Sequence, residues 1–315
     1  MPGLPSLPLP VGYRGRPATI ADACPIHRLI TAREDELYGR AETGIDRVAA
    51  DLALPGLHLA SDTVLVHDRP GELAGWGWVK GRRATVDVHP RHRERGLGSA
   101  LVAWAETRAR QAGSDRLAQS VLDGDAAAVA LLRSRGYERL VTEWLLEIAL
   151  PVEPEVPGPP DRITVRAFRP GDERAAYQLT EDAFDEWQQR RKSYREWARH
   201  TVGRSTFAPG ASPVAFAGGQ MVGAVLSLDA PDSDEGYVER VAVRHDHRNR
   251  GIARTLLQTA FRAFHHRGKR TCTLWTHSDT GALSLYERIG MTVRRSATVY
   301  SKPLTTGQLG RRDPP

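Results

Sequence analysis

Two stretches, VHPRHRERGLG (residues 88–98) and VRHDHRNRGIA (residues 243–253), carry one spacing of valine, arginine and small residues in both halves of the chain. In the first, Val88 leads to Arg93, Glu94, Arg95, Gly96, Leu97 and Gly98. In the second, Val243 leads to Arg248, Asn249, Arg250, Gly251, Ile252 and Ala253, with Arg254 next. Small residues let the backbone curl tightly and come close to a ligand. Where such a curl opens a helix, unpaired amide N–H groups point outward with the helix dipole behind them. That is an anion site suited to a diphosphate. One such turn is weak grounds for a site. Two, each between a strand and an amphipathic helix, are much stronger.

The elements that must position these turns repeat in order. In the second half, ITVRAFRPGDE reads as a strand and a helix start, and AAYQLTEDAF continues the helix at helical spacing. PVAFAGGQMVGAVLSLD reads as two strands around Gly218-Gly219, a hairpin signature, and GYVERVAV as a further strand. After the turn, a helix with Leu256, Leu257, Ala260, Phe261 and Phe264 on one face ends near Gly268. CTLWT, GALSLYERIG and VRRSATVYSK then read as strand, short helix and strand. The first half follows the same list more loosely: DTVLVHD, GELAGWGWVK and RATVDV as strands, the turn, then a helix carrying Leu97, Leu101, Trp104 and Ala105. RLAQSV, DAAAVALLRSRGY and LVTEWLLEIAL close it as strand, helix and strand. The repeat is far longer than the ~20–50 residues of solenoid units, so it marks two domains. PVEPEVPGPP at 151–160 reads as a stiff linker between domains at 14–150 and 161–303, with loose tails at 1–13 and 304–315.

At 315 residues the chain is long enough for two cores. Its 40% hydrophobic and 26% charged residues are those of a soluble globular protein. No apolar run reaches the roughly 20 residues of a membrane span, and the first residues, with neither a basic leader nor a continuous apolar segment, lead to the expectation of no secretory signal. Cys24 and Cys272, one per half, do not make a disulfide framework. A cytoplasmic location, no membrane partner and no bound metal are expected. Of 44 basic residues only Lys80, Lys192, Lys269 and Lys302 are lysine; arginine prefers bidentate contacts with phosphate. No aromatic-interleaved basic motif or finger spacing points to nucleic acid, although the pI of about 9.6 keeps an RNA partner in view.

Together the turns and their flanking elements resemble the GNAT acyltransferase superfamily, whose acyl-CoA signature is Arg or Gln, two residues, Gly, one residue, then Gly or Ala. Both stretches fit it, and SDTGALSLYERIGM resembles the family's second motif, a helix with a tyrosine four residues before a glycine. The resemblance covers roughly 16–150 and 161–303. It implies a mixed α/β (α+β) fold of two tandem GNAT-like domains, each a mostly antiparallel sheet splayed open for pantetheine and flanked by helices. It implies acetyl-CoA as cofactor, with its diphosphate held at Arg93–Gly98 and Arg248–Ala253, next to Val88, Val241, Val243 and Arg254.

Acyl transfer to an amine needs a base for the amine and an acid beside the departing sulfur. Counting back by twos from Val243, strand alternation puts Val241, Glu239 and Tyr237 on its face. Glu239 is then the carboxylate facing the substrate, with Glu235 and Asp234 in reserve. Tyr286 matches the family's tyrosine at the CoA sulfur, and His277 is a candidate for the cleft mouth. The first half has Ala84 and Arg82 at the corresponding strand positions, Asp87 on the opposite face, and Leu132 where Tyr286 stands. It reads as a degenerate copy that binds acetyl-CoA without reacting, stabilises its partner or shapes the substrate site.

A tandem pair complete only in its later copy is similar to the mycothiol synthase type, which acetylates the cysteine amine of a thiol glycoside. The chain departs from that type in having Tyr237 where a carboxylate stands, with Glu239 two residues on. The expected activity is acetyl transfer to the primary amine of a small molecule, such as an antibiotic, amino sugar or biosynthetic intermediate, by a monomer or homodimer. A non-catalytic CoA-responsive module, and a protein or tRNA amine as acceptor, are the alternatives.

Overall fold

The computed structural model describes residues 8–185, 190–231 and 233–304. Two compact units divide the chain: Met1–Thr142 with Ala297–Pro315 (unit 1), and Glu143–Ser296 (unit 2). Both are mixtures of helix and sheet. Among the described residues no helix is long and apolar enough to cross a membrane.

Unit 1 contains β1 (Arg14–Arg16), α1 (Ala23–Tyr38), α2 (Ile45–Leu52), α3 (Leu59–Asp62), β2 (Thr63–His67), β3 (Leu73–Lys80) and β4 (Arg83–Val88). It continues with α4 (Leu97–Gln111), β5 (Arg116–Leu122), α5 (Ala126–Ser134) and the start of β6 (Glu138–Ala149). Unit 2 takes up the rest of β6, then β7 (Ile163–Ala167), α6 (Glu173–Phe184), α7 (Tyr194–His200), β8 (Pro213–Ala217), β9 (Gln220–Asp229) and β10 (Glu235–Val243). It ends with α8 (Ile252–His266), β11 (Thr271–His277), α9 (Leu283–Arg288) and the start of β12 (Thr292–Pro303).

The two final strands change places. Residues Ala297–Pro303 of β12 pair antiparallel with β5 of unit 1, and Glu143–Ala149 of β6 pair antiparallel with β11 of unit 2. The sheet of unit 1 thus runs β1-β2-β3-β4-β5-β12 and that of unit 2 β6-β11-β10-β9-β8-β7. In each, one pair is parallel, β4 with β5 and β10 with β11, and the other pairs are antiparallel. The boundaries expected at 14–150 and 161–303 miss this exchange. Both strands are long, alternating and β-branched, so pattern alone does not tell which sheet receives them.

Helices cover both faces of each sheet. In unit 2, α8 buries Ile252, Leu256, Leu257, Ala260, Phe261 and Phe264 against Val225 and Val238. On the other face, Ala176 and Leu179 of α6 and Trp197 of α7 meet Ala224, Leu226 and Ala242. In unit 1, α4 packs Leu97, Leu101 and Trp104 on one face, and α1 packs Ile26 and Leu29 on the other. The β8–β9 hairpin turns on Gly218 and Gly219, both at positive φ (54° and 83°), as a two-residue turn requires.

Of the expected N-terminal tail, residues 1–7 lie outside the described residues, and so do 305–315 at the other end. Residues 8–13 are held rather than loose: Leu9 packs on the unit 1 core, and the Tyr13 hydroxyl meets His92 Nδ1 at 3.0 Å. The 151–160 stretch has no helix or strand, and Arg262 Nε of α8 donates to its Pro154 carbonyl at 3.2 Å.

Gly236 of β10 makes the close approach of α8 possible, because an added Cβ would sit 2.5 Å from the Phe264 ring. We expect Gly236→Ala to destabilise the protein by about 1–3 kcal/mol through overpacking, seen as a lower urea midpoint. An unchanged midpoint would contradict this packing.

Candidate active site

The two repeated turns have one backbone conformation. Each begins with a short 3₁₀ segment, Pro90–His92 or His245–His247, and an extended arginine, Arg93 or Arg248. Then come two left-handed residues, Glu94 (60°) and Gly96 (79°) in unit 1, Asn249 (59°) and Gly251 (83°) in unit 2. Gly96 and Gly251 cap α4 and α8, and no side chain occupies either cap. The first-turn amides are therefore open to an anion, as the sequence pattern anticipates.

Their side chains differ. Arg93 is half-buried and tied to Glu36, with Asp125 at 3.6 Å. Arg248 is exposed and its Nε donates to the Val243 carbonyl at 3.3 Å, while among the described residues none of Arg248, Arg250 and Arg254 meets a carboxylate. The cationic groups of the second turn remain free for phosphate.

Above the second turn the sheet opens. β10 and β11 pair from Glu235↔Thr271 to Val238↔Leu274 and no further, although both strands continue. On its other edge, β10 shifts register against β9 between Val238 and Arg240, so Glu239 is the extra residue of a bulge. A bulge breaks strict alternation. Opposite partners on β9 show that Val241 and Val243 share a face with Val238, whereas Tyr237 shares one with Arg240 and Ala242. Counting by twos from Val243 to Glu239 and Tyr237 is therefore corrected: the intervening bulge reverses the parity.

A cavity of about 690 Å³ fills this opening. Its walls include Glu239, Arg240, Val241 and Val243 of β10, Arg248, Asn249, Gly251, Ile252, Ala253 and Arg254 of the turn and α8, and Tyr286 of α9. His277 and Trp275 of β11 and Phe184 of α6 complete the part used below. Arg250 belongs to the turn but not to the wall. The residues singled out in the first half, Val88 and Arg93 to Gly98, build the matching turn of unit 1. Glu235, held in reserve as a base, is engaged by Arg294 at 2.5 Å, and neither it nor Asp234 lines the cavity.

Tyr286 is 7% exposed, and burial pushes its phenol up to about 12, so the hydroxyl stays protonated at neutral pH. No hydrogen bond to another described residue occupies it. Glu239 is paired with Arg204 at 3.2 Å, a contact whose arginine is 44% exposed and easily exchanged. In unit 1, Leu132 on α5 is buried where Tyr286 stands on α9, and Gly136 and Gly290 that follow are both left-handed (80° and 94°). Asp87 there faces α1, held by Arg33 and by Trp76 Nε1 at 3.1 Å. Arg240, Phe184, Arg204 and Trp275 were not singled out from sequence.

An open helix start, leading along an unpaired strand edge to a protonated phenol, is an arrangement suited to an acyl-CoA-dependent transferase. The acetyltransferase (GNAT) family model matches residues 27–137 and 174–291, and the chain belongs to that family. It is an acetyl-CoA-dependent N-acetyltransferase with two GNAT domains in tandem. A mycothiol acetyltransferase of Thermomonospora curvata is 30% identical over 278 residues, covering 84% of this chain and 91% of the relative. One from Catenulispora acidiphila is 29% identical over 241 residues, covering 72% and 76%. Among solved structures, a GCN5-related N-acetyltransferase from Sphaerobacter thermophilus has a TM-score of 0.82 at 30% identity, covering 94% of this chain and 97% of that one. A tandem GNAT protein from the clavulanic acid biosynthesis pathway shares the fold, at TM-score 0.69 and 19% identity over 93% and 98% of the chains.

Gly251 must keep a left-handed backbone that β-branched residues avoid. Gly251→Val should weaken acetyl-CoA binding by at least about tenfold in calorimetric titration, with the far-UV circular dichroism unchanged. Wild-type affinity would contradict the assignment of this turn.

Proposed function

We propose that unit 2 carries the reaction and transfers acetyl from acetyl-CoA to the primary amine of a small molecule. The observation that carries this reading is the single cavity wall holding the open turn, Glu239 and Tyr286 together. Bound acetyl-CoA supplies an activated acyl group and a thiolate leaving group. The amides of residues 248–253 hold its diphosphate, and the unpaired edge of β10 at Val241 and Val243 offers backbone hydrogen bonds to the arm.

Glu239, directly or through a water, takes the proton from the acceptor's ammonium so that the nitrogen lone pair can attack. Tyr286 donates a hydrogen bond to the sulfur as negative charge grows there. A phenol held protonated suits that role, because it stays a donor throughout the working pH range. Unit 1 lacks the phenol, keeps its only nearby strand carboxylate on the far face and neutralises its turn arginine internally, which supports a non-reacting role for it. The mycothiol acetyltransferase relatives support a cysteinyl glycoside amine as one acceptor; amino sugars and other small amines are the wider class.

Tyr286→Phe and Glu239→Gln should each lower kcat by at least about tenfold, within the usual ~10²–10⁴-fold worth of acid–base catalysis, with acetyl-CoA affinity unchanged. Release of free CoA thiol across a panel of amino sugars, aminoglycosides, amino acids and cysteinyl glycosides measures it. Unaltered turnover in both variants would refute the site.

A further inference from the structure

Arg240 is a half-buried cation in the cavity wall with no use in the chemistry above. Its Nε is buried without a hydrogen-bond acceptor, and its guanidinium lies 5.5 Å from the centre of the Phe184 ring. Four other half-buried arginines of unit 2 are matched to carboxylates: Arg166 to Asp172, Arg244 to Asp246, Arg262 to Glu153 and Arg294 to Glu235. Arg240 meets none among the described residues. A cation taken partly out of water without a counter-ion is costly, and the ring recovers only part of that cost.

Position separates this arginine from the cofactor's phosphates. Three residue steps of extended chain, roughly 10 Å, separate Arg240 from Val243 at the end of β10 where the turn begins. Arg248 and Arg254 already serve that end. Arg240 stands beside Glu239 at the reacting end, and both line the cavity where β10 has parted from β11. One carboxylate and one unpaired guanidinium are thus presented side by side.

We propose that Arg240 is a specificity-determining residue that binds an anionic group, carboxylate or phosphate, on the acceptor whose ammonium meets Glu239. The inference rests on unit 2 being the catalytic unit. It selects acidic small amines over neutral ones, neutral cysteinyl glycosides included. Charge-assisted hydrogen bonding of this kind corresponds to roughly a tenfold to hundredfold effect on KM.

The test compares D-glucosamine 6-phosphate with D-glucosamine, and L-alanine with L-alaninamide, by release of CoA thiol. The acidic member of at least one pair should have the higher kcat/KM. Arg240→Met should raise its KM at least about tenfold while leaving kcat within about threefold and the acetyl-CoA KM unchanged. Arg240→Lys should restore part of the loss, which a folding defect would not allow. Turnover confined to the neutral members, no turnover of either acidic member, or equal effects of Arg240→Met on both members of a pair overturns the proposal. Any of these accompanied by a rate that still depends on Tyr286 leaves the proposed reaction standing. A rate indifferent to Tyr286→Phe removes that reaction itself.

Discussion

The ladder between β10 and β11 stops at Val238↔Leu274, and the site depends on that stop. Beyond it both strands continue with one edge unpaired, and buried backbone groups left without partners are rarely tolerated. The proposed pantetheine arm, rich in amides and carbonyls, is a ligand suited to satisfy them. Residues of the turn at 248–253 and Tyr286 line this one opening, so the binding and leaving-group roles proposed for them rest on one break in one sheet. The bulge at Glu239 is the second half of the same device. It shifts the register of β10 against β9, so that Arg240 lies opposite Leu226 and Glu239 opposite no β9 residue.

Unit 1 shows how backbone and chemistry separate. Its turn repeats the left-handed residues and the uncapped helix start, and Gly75 and Gly77 of β3 lie against Leu101 and Trp104 of α4 much as Gly223 of β9 lies against Ile252 and Leu256 of α8. These features serve packing whether or not a reaction occurs. Yet β3 and β4 pair residue for residue from Gly75↔Val88 to Lys80↔Arg83, without the bulge. Asp87 is accordingly turned to α1, and Arg93 is spent on Glu36 and Asp125. Leu132 fills a place in the unit 1 core as Tyr286 does in that of unit 2, so the packing stands whether or not a hydroxyl is present.

What could be read beforehand divides along the same line. The turns were legible because glycine and arginine at fixed spacing constrain the local backbone, and the order from β2 to β6 and from β7 to β12 followed from apolar periodicity, except that β1, α1, α2, α3 and α7 were not read. Leu132 against Tyr286 was legible because the surrounding glycines set the alignment. The face of Glu239 was not, since a bulge leaves no mark in a run such as GYVERVAV and its register is fixed only by β9. Nor was the exchange of β6 and β12, where two alternating strands fit either sheet. Arg240 escaped notice for a related reason: one more arginine in a chain with forty is informative only once its missing counter-ion is seen.

A crystal structure of the protein grown with CoA is the most direct measurement. It should show the diphosphate on the amides of residues 248–253 and the sulfur within about 3.5 Å of the Tyr286 hydroxyl, with the arm along the free edge of β10. CoA bound elsewhere, or a sulfur remote from Tyr286 with β10 and β11 zipped past Val238, would contradict the account.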